Sequence, residues 1–82
     1  MKVLLYTTLG CHLCTEALAL LNEYSNHQNK ALEIKEIEIS ESDSLVATYG
    51  VRIPVIRVLC SEEELGWPFT FHELAHFLES CS

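Results

Sequence analysis

Two cysteines separated by two residues, Cys11-His12-Leu13-Cys14, carry the most distinctive chemistry in the sequence. They follow a short apolar run and a glycine, and they open a segment with helical period. The first turn of a helix presents unpaired N–H groups and the positive end of the dipole, so a thiolate at Cys11 is stabilised there. Free cysteine titrates near ~8.5, which leaves only ~3% thiolate at pH 7; a shift to ~7 gives about half. Cys14 lies three residues on, one turn deeper, so the two sulfurs can meet. Cys11 is then the expected nucleophile toward a disulfide, and Cys14 the thiol that resolves the mixed disulfide. His12 either lends positive charge to Cys11 or faces solvent. Half of a zinc site and a pair of incidental core thiols are the competing readings of the same motif.

A second motif, His72-Glu73-Leu74-Ala75-His76, matches the H-E-x-x-H helix of zinc proteases. Catalytic zinc needs three protein ligands and an open position. Only six residues follow His76, and Phe71, Leu74, Ala75 and Leu78 define the expected buried stripe. His72, Glu73 and His76 are therefore expected to face solvent without a catalytic metal. The other cysteines, Cys60 and Cys81, are expected at the pole opposite Cys11, too far away to complete a four-cysteine metal site with Cys11 and Cys14.

The elements that must position these residues can be read in order. Val3 to Tyr6 predicts a buried strand ending in a turn at Thr7-Thr8-Leu9-Gly10. Cys14, Ala17, Leu18, Leu21 and Ser25 predict a helical core stripe, with Leu20 and Tyr24 at its edge. That helix should fade between Asn26 and Asn29. Leu32 to Ile39 reads as a strand with one polar face. The apolar parity changes between Ile34 and Ile37, which suggests a bulge or a late start. Ser40 with Asp43 fits a capping box for a short helix through Leu45, Val46 and Tyr49, ended by Gly50. Val55 to Leu59 predicts a strand, and a turn at Ser61-Glu62 returns the chain through a short strand ending near Leu65. Thr70 with Glu73 predicts a further capping box, and Phe69 with Leu74 a hydrophobic staple. The order is βαβαββα. It implies an α/β fold with a four-stranded mixed sheet, the first two strands parallel, and helices on both faces. The whole of residues 1–82 is expected to form one domain.

Proline cannot donate to a sheet ladder, so Ile53-Pro54 is expected to open a strand. Together with Gly10-Cys11-His12-Leu13-Cys14, the segments Tyr49-Gly50-Val51-Arg52-Ile53-Pro54-Val55 and Gly66-Trp67-Pro68-Phe69 resemble the small glutaredoxin-like proteins of the thioredoxin-fold superfamily. The resemblance spans nearly the whole chain. It implies that Cys11 and Cys14 are catalytic and that Pro54 is a cis proline shaping a substrate groove; Ile53, Arg52 and Trp67 are expected around it, with Arg52 holding a carboxylate, favouring the Cys11 thiolate or facing solvent. The sequence departs from typical glutaredoxins in three places. Thr8 stands where they carry a lysine, and His12-Leu13 stands where they carry Pro-Tyr or a close variant. Gly66-Trp67-Pro68-Phe69 replaces the Gly-Gly turn and acidic residue that hold glutathione.

Composition sets the outer bounds. Net charge is −7 with only five lysines and arginines among 82 residues, which disfavours nucleic acid and anionic membranes as partners. No apolar run approaches the ~20 residues needed to span a bilayer. The start of the sequence lacks signal-peptide character, so a cytoplasmic monomer with no bound cofactor is expected. The expected activity is thiol–disulfide oxidoreduction on protein or small-molecule disulfides, with glutathione or a thioredoxin reductase system as electron donor. A metal or iron–sulfur module held through Cys11 and a redox-inert adaptor are the alternatives.

Overall fold

Lys2–Thr7 (β1) is apolar at almost every position because it lies in the middle of a sheet covered on both faces. The computed structural model describes residues 2–29, 31–59 and 63–80. After β1 come α1 (His12–Gln28), β2 (Glu33–Glu38), a single 3₁₀ turn (Ile39–Glu41), α2 (Asp43–Tyr49), β3 (Val55–Val58), β4 (Glu64–Gly66) and α3 (Phe71–Glu79). The sheet order is β2-β1-β3-β4, with β1 parallel to β2 and antiparallel to β3, and with β3 and β4 antiparallel. The βαβαββα order and the mixed four-stranded sheet are those expected.

The sheet's two faces carry separate cores. Val3, Leu5, Ile56 and Val58 point to one face and pack with Ala17, Leu21 and Tyr24 of α1, and with Leu74 and Leu78 of α3. Tyr6 and Val55 point to the other face and pack with Ile39 and Tyr49. Thr70 and Glu73 form the predicted reciprocal capping box on α3, and Phe69 and Leu74 join the same buried cluster. On α1, Asn29 takes the left-handed conformation, φ 51°, and ends the helix where weak helix formers cluster.

Three local expectations are corrected. Glu33–Glu38 pairs with β1 residue for residue, with no bulge. The parity change exists because Ile34 packs on the α1/α3 side and Ile37 on the α2 side. The second helix is capped by Ser42, whose hydroxyl accepts from the Leu45 N–H at 3.4 Å; Ser40 lies inside the 3₁₀ turn. The helix itself runs through Leu45, Val46 and Tyr49 to Gly50 as expected, with Val46 exposed and Tyr49 buried. On α1, Tyr24 belongs to the core and Ser25 lies at its margin, because the helix leans on α3, where the Tyr24 ring lies 6.3 Å from that of Phe71. Cys60, Cys81 and the turn at Ser61-Glu62 lie outside the described residues.

The α2 face holds a polar clasp. The Tyr6 and Tyr49 rings stack at 4.2 Å. The Tyr49 hydroxyl donates to the Glu64 carboxylate. Arg52 lies over the Tyr49 ring at 5.5 Å and reaches Glu64 at 3.5 Å. The bond to Glu64, followed by burial, pushes the Tyr49 phenol well above its ordinary range. Neutral Tyr49 is thus the form that the fold favours. Its contribution is complete below the ordinary tyrosine pKa of ~10 and is lost as pH rises through the raised value. Tyr49→Phe is expected to lower stability by about 1–3 kcal/mol, the usual worth of a hydrogen bond to a charged group. Chemical denaturation at neutral pH checks this.

Candidate active site

The C-terminal end of β1 delivers the chain into a tight turn at Thr8-Leu9-Gly10. Gly10 has φ 77°, a conformation that side chains with a Cβ rarely adopt, and open space surrounds the position where a Cβ would be. The glycine is therefore needed for its backbone. The Cys11 N–H closes the turn onto the Thr8 carbonyl at 3.3 Å.

Cys11 is the N-cap of α1. Its Sγ accepts the Cys14 N–H at 3.1 Å, and its carbonyl accepts from the Thr15 N–H at 3.3 Å. A sulfur thus occupies the place usually filled by a serine or aspartate oxygen. The first turn of α1 contains no acidic residue, so nothing on it opposes a thiolate at the positive end of the helix. Cys11 and Cys14 form a disulfide, with Cα atoms 5.2 Å apart. Cys11 is half-buried and Cys14 is buried. One sulfur is within reach of a substrate, and the other is within reach of the first.

The pair opens onto a cleft of about 460 Å³ between the start of α1 and the end of β2. Thr7, Thr8, His12, Leu18, Glu36 and Glu38 line it, with no lysine or arginine. Sequence reasoning missed the two glutamates. The available signal was the one-to-one parallel pairing of β1 with β2, which sets Leu5 against Glu36 and Thr7 against Glu38.

The remaining sequence-predicted residues gather at the same end of the sheet, on the other side of β1. The Ile53–Pro54 bond is cis, as is Trp67–Pro68. Tyr6 pairs with Val55, which puts Pro54 level with Thr7. The Trp67 N–H donates to the Pro54 carbonyl at 2.9 Å, and the Trp67 ring meets Phe69 edge-on at 5.0 Å. Ile53 packs against the α2-side core. Arg52 does not line the cysteine cleft; its guanidinium is occupied by Glu64 and Tyr49.

His72 and His76 are exposed on α3, along a separate shallow cleft with Glu63, Glu73 and Phe77. Among the described residues, no three or more histidines, cysteines or acidic side chains are placed to hold a metal ion together. No helix among those residues is long and apolar enough to cross a membrane.

A mixed β2-β1-β3-β4 sheet whose first strand hands a cysteine pair to the first helix defines the thioredoxin-like class of α/β proteins. Within that class, residues 2–79 match the Glutaredoxin-like domain (DUF836), and the chain belongs to that family. Among solved structures it is similar to the structural genomics target protein XcR50 from X. campestris. The identity is 31%, the TM-score is 0.79, and 95% of this chain and 96% of that one are covered. Thioredoxin 1 from Thermosipho africanus TCF52B shares the fold at 19% identity and a TM-score of 0.65, with 98% and 92% covered. Chloroplastic thioredoxin z shares it at 10% identity and a TM-score of 0.67, with 98% and 76% covered. No curated protein matches.

Proposed function

We propose that this protein is a thiol–disulfide oxidoreductase that reduces protein or small-molecule disulfides through Cys11 and Cys14. The observation that carries this reading is the asymmetric pair at the start of α1. Cys11 is half-buried and receives the Cys14 N–H, while Cys14 is buried behind it.

In the reduced protein the Cys11 thiolate attacks one sulfur of the substrate disulfide. A Cys11–substrate disulfide forms, and the other substrate sulfur leaves as a thiolate that takes up a proton. Cys14, losing its proton, then attacks Cys11 Sγ. The Cys11–Cys14 disulfide forms and the second substrate thiol leaves. The substrate gains two electrons, and the pair must regain two from a donor, either glutathione or a thioredoxin reductase system. Pro54 is fully buried across β1 from the cysteines and shapes the groove from beneath, with Ile53 and Trp67 beside it and Arg52 bracing its loop.

The charge of the cleft bears on substrate choice. Glu36 and Glu38 line it with no lysine or arginine, and glutathione disulfide carries net negative charge. A cationic disulfide such as cystamine is therefore the better small substrate. The expected preference is about tenfold at low ionic strength, or about 1.4 kcal/mol, and it shrinks as salt shortens the Debye length. The test is a disulfide-reduction assay on a protein disulfide with each donor in turn, and oxidation of the pre-reduced protein, without donor, by each small disulfide across a salt series. Faster reduction of glutathione disulfide than of cystamine at low salt would refute the charge argument. No turnover with either donor, together with an ordinary Cys11 thiol, would refute the oxidoreductase.

A further inference from the structure

We propose that Glu38 is the positioning residue for Cys11: its carboxylate ties the Thr8-Leu9-Gly10 turn to the end of β2 and so holds Cys11 at the N-cap of α1. The proposal rests on the redox reading of Cys11.

The argument begins with register. β1 and β2 run parallel and end level, with Thr7 opposite Glu38. Beyond that pair the two strands part. β1 enters the turn that leads to Cys11, and β2 enters the 3₁₀ turn at Ile39–Glu41. Something must hold the two departing segments together, because no further ladder bonds are available to them. Glu38 stands at the fork. Its Oε2 accepts the Ser40 N–H at 3.1 Å and caps the 3₁₀ turn. Glu38 also lines the same cleft as Thr7, Thr8, Leu9, Gly10 and Cys11, so its carboxylate faces the Thr8 hydroxyl and the Leu9 N–H across the fork. Ser40 first, and these two groups with it, hold the Glu38 carboxyl below the usual carboxylate range. It is therefore ionised at neutral pH.

Within itself the turn is closed by the Cys11 N–H on the Thr8 carbonyl, and packing adds little. Leu9 is 92% exposed and contributes no packing, and Gly10 is the residue with the widest backbone freedom. Yet the Cys14 N–H can stabilise a Cys11 thiolate only while Cys11 stays at the cap. Glu38 acts on Cys11 in two opposed ways. As a tie it keeps the thiolate on the helix N-terminus, which lowers the thiol pKa. As an anion on the same cleft it raises that pKa. The titratable groups that share the cleft with Cys11 and Cys14 are His12 on α1 and Glu36 and Glu38 on β2.

Two substitutions separate these effects. Glu38→Gln keeps an oxygen acceptor and removes the charge; Glu38→Ala removes both. The measurement is the pH profile of Cys11 alkylation in the reduced full-length protein, resolved to the Cys11 peptide by mass spectrometry. It is run well below each variant's melting temperature. In Glu38→Ala the midpoint is expected to move up, leaving several-fold less thiolate at pH 7, although a negative charge has gone. In Glu38→Gln it should return to the wild-type value or fall below it. A Glu38→Ala midpoint equal to or below wild type overturns the proposal, since the carboxylate would then act only as a charge. Should Glu38→Ala fail to fold, Thr8→Val removes one donor to the carboxylate and must shift the midpoint upward too; no shift there is equally fatal. The readout also keeps the two claims apart. A wild-type Cys11 that alkylates no faster than free cysteine defeats the oxidoreductase reading, whereas a fast wild type with unaffected variants defeats only the role of Glu38.

Discussion

Cys11→Ser is expected to reduce disulfide-exchange activity to the uncatalysed background, while Cys14→Ser arrests the reaction at a stable mixed disulfide. The two outcomes differ because the fold treats the two sulfurs differently. Cys11 is half-buried and its Sγ caps α1 in the disulfide form, so in the reduced protein its thiolate is placed to accept the Cys14 N–H at the positive end of the helix dipole. A serine hydroxyl can take the same backbone bond, so α1 keeps its cap. The alcohol is not ionised at neutral pH, however, and attacks no disulfide. Loss of activity should therefore come without loss of fold. Cys14 is 5% exposed, so a substrate disulfide cannot reach it, but Cys11 Sγ can. Without the Cys14 thiol the first exchange proceeds and the second does not. Peptide mass spectrometry after incubation with a disulfide substrate should show one substrate half on the residue 11–14 segment of Cys14→Ser and none on that segment of Cys11→Ser, with Cys60 and Cys81 read separately. Glutathione added in excess substitutes for Cys14 only by attacking the trapped bond itself. Adduct formation on Cys14 in the Cys11→Ser protein would reverse the assigned roles.

How far the sequence reveals this arrangement depends on whether a feature is local. The cysteine pair, the Thr70–Glu73 box and the strand order are legible because each rests on spacing within one element or on the period of a run. The exceptions all involve contacts from elsewhere in the chain. Ile34 and Ile37 break the alternation of β2 because both faces of that strand are covered, one by α1 and α3 and the other by α2. A bulge explains the same parity, and only the partner strand decides between them. Ser40 and Ser42 are both competent caps, and the 3₁₀ turn after β2 selects the later one. Arg52 looks like a free cation beside the site until Glu64, twelve residues on, takes it up. Glu38 reads as one charge among several on an edge strand. Its bonds to Ser40 are local, but its reach to Thr8 and Leu9 depends on the parallel register with β1. The site is thus half local, in the cysteine motif, and half tertiary, in what β2 and β4 bring to it.

The second large effect is expected far from the sulfurs, at Leu21. This residue is fully buried on α1, on the same stripe as Cys14, Ala17 and Tyr24, among core residues of the sheet and α3. Leu21→Ala removes its buried methyl groups and leaves a cavity, at a cost of about 2–5 kcal/mol. A chain of this length has about 4–12 kcal/mol of stability in all, at roughly 0.05–0.15 kcal/mol per residue. The substitution thus removes a large fraction of it. At about 4–8 °C per kcal/mol for a small domain, the melting temperature should fall by roughly 8–40 °C. Leu9→Ala is the control: that side chain is 92% exposed, and its loss should change stability by less than about 0.5 kcal/mol. Thermal melts followed by circular dichroism measure both. The consequence reaches the chemistry because α1 is the element that supplies the Cys14 N–H to Cys11. As the helix loosens, the thiolate loses its cap, and Cys11 alkylation at neutral pH should slow as the melting transition is approached. If Leu21→Ala melts within a few degrees of wild type, the core face of α1 is misassigned, and with it the burial that separates Cys14 from Cys11.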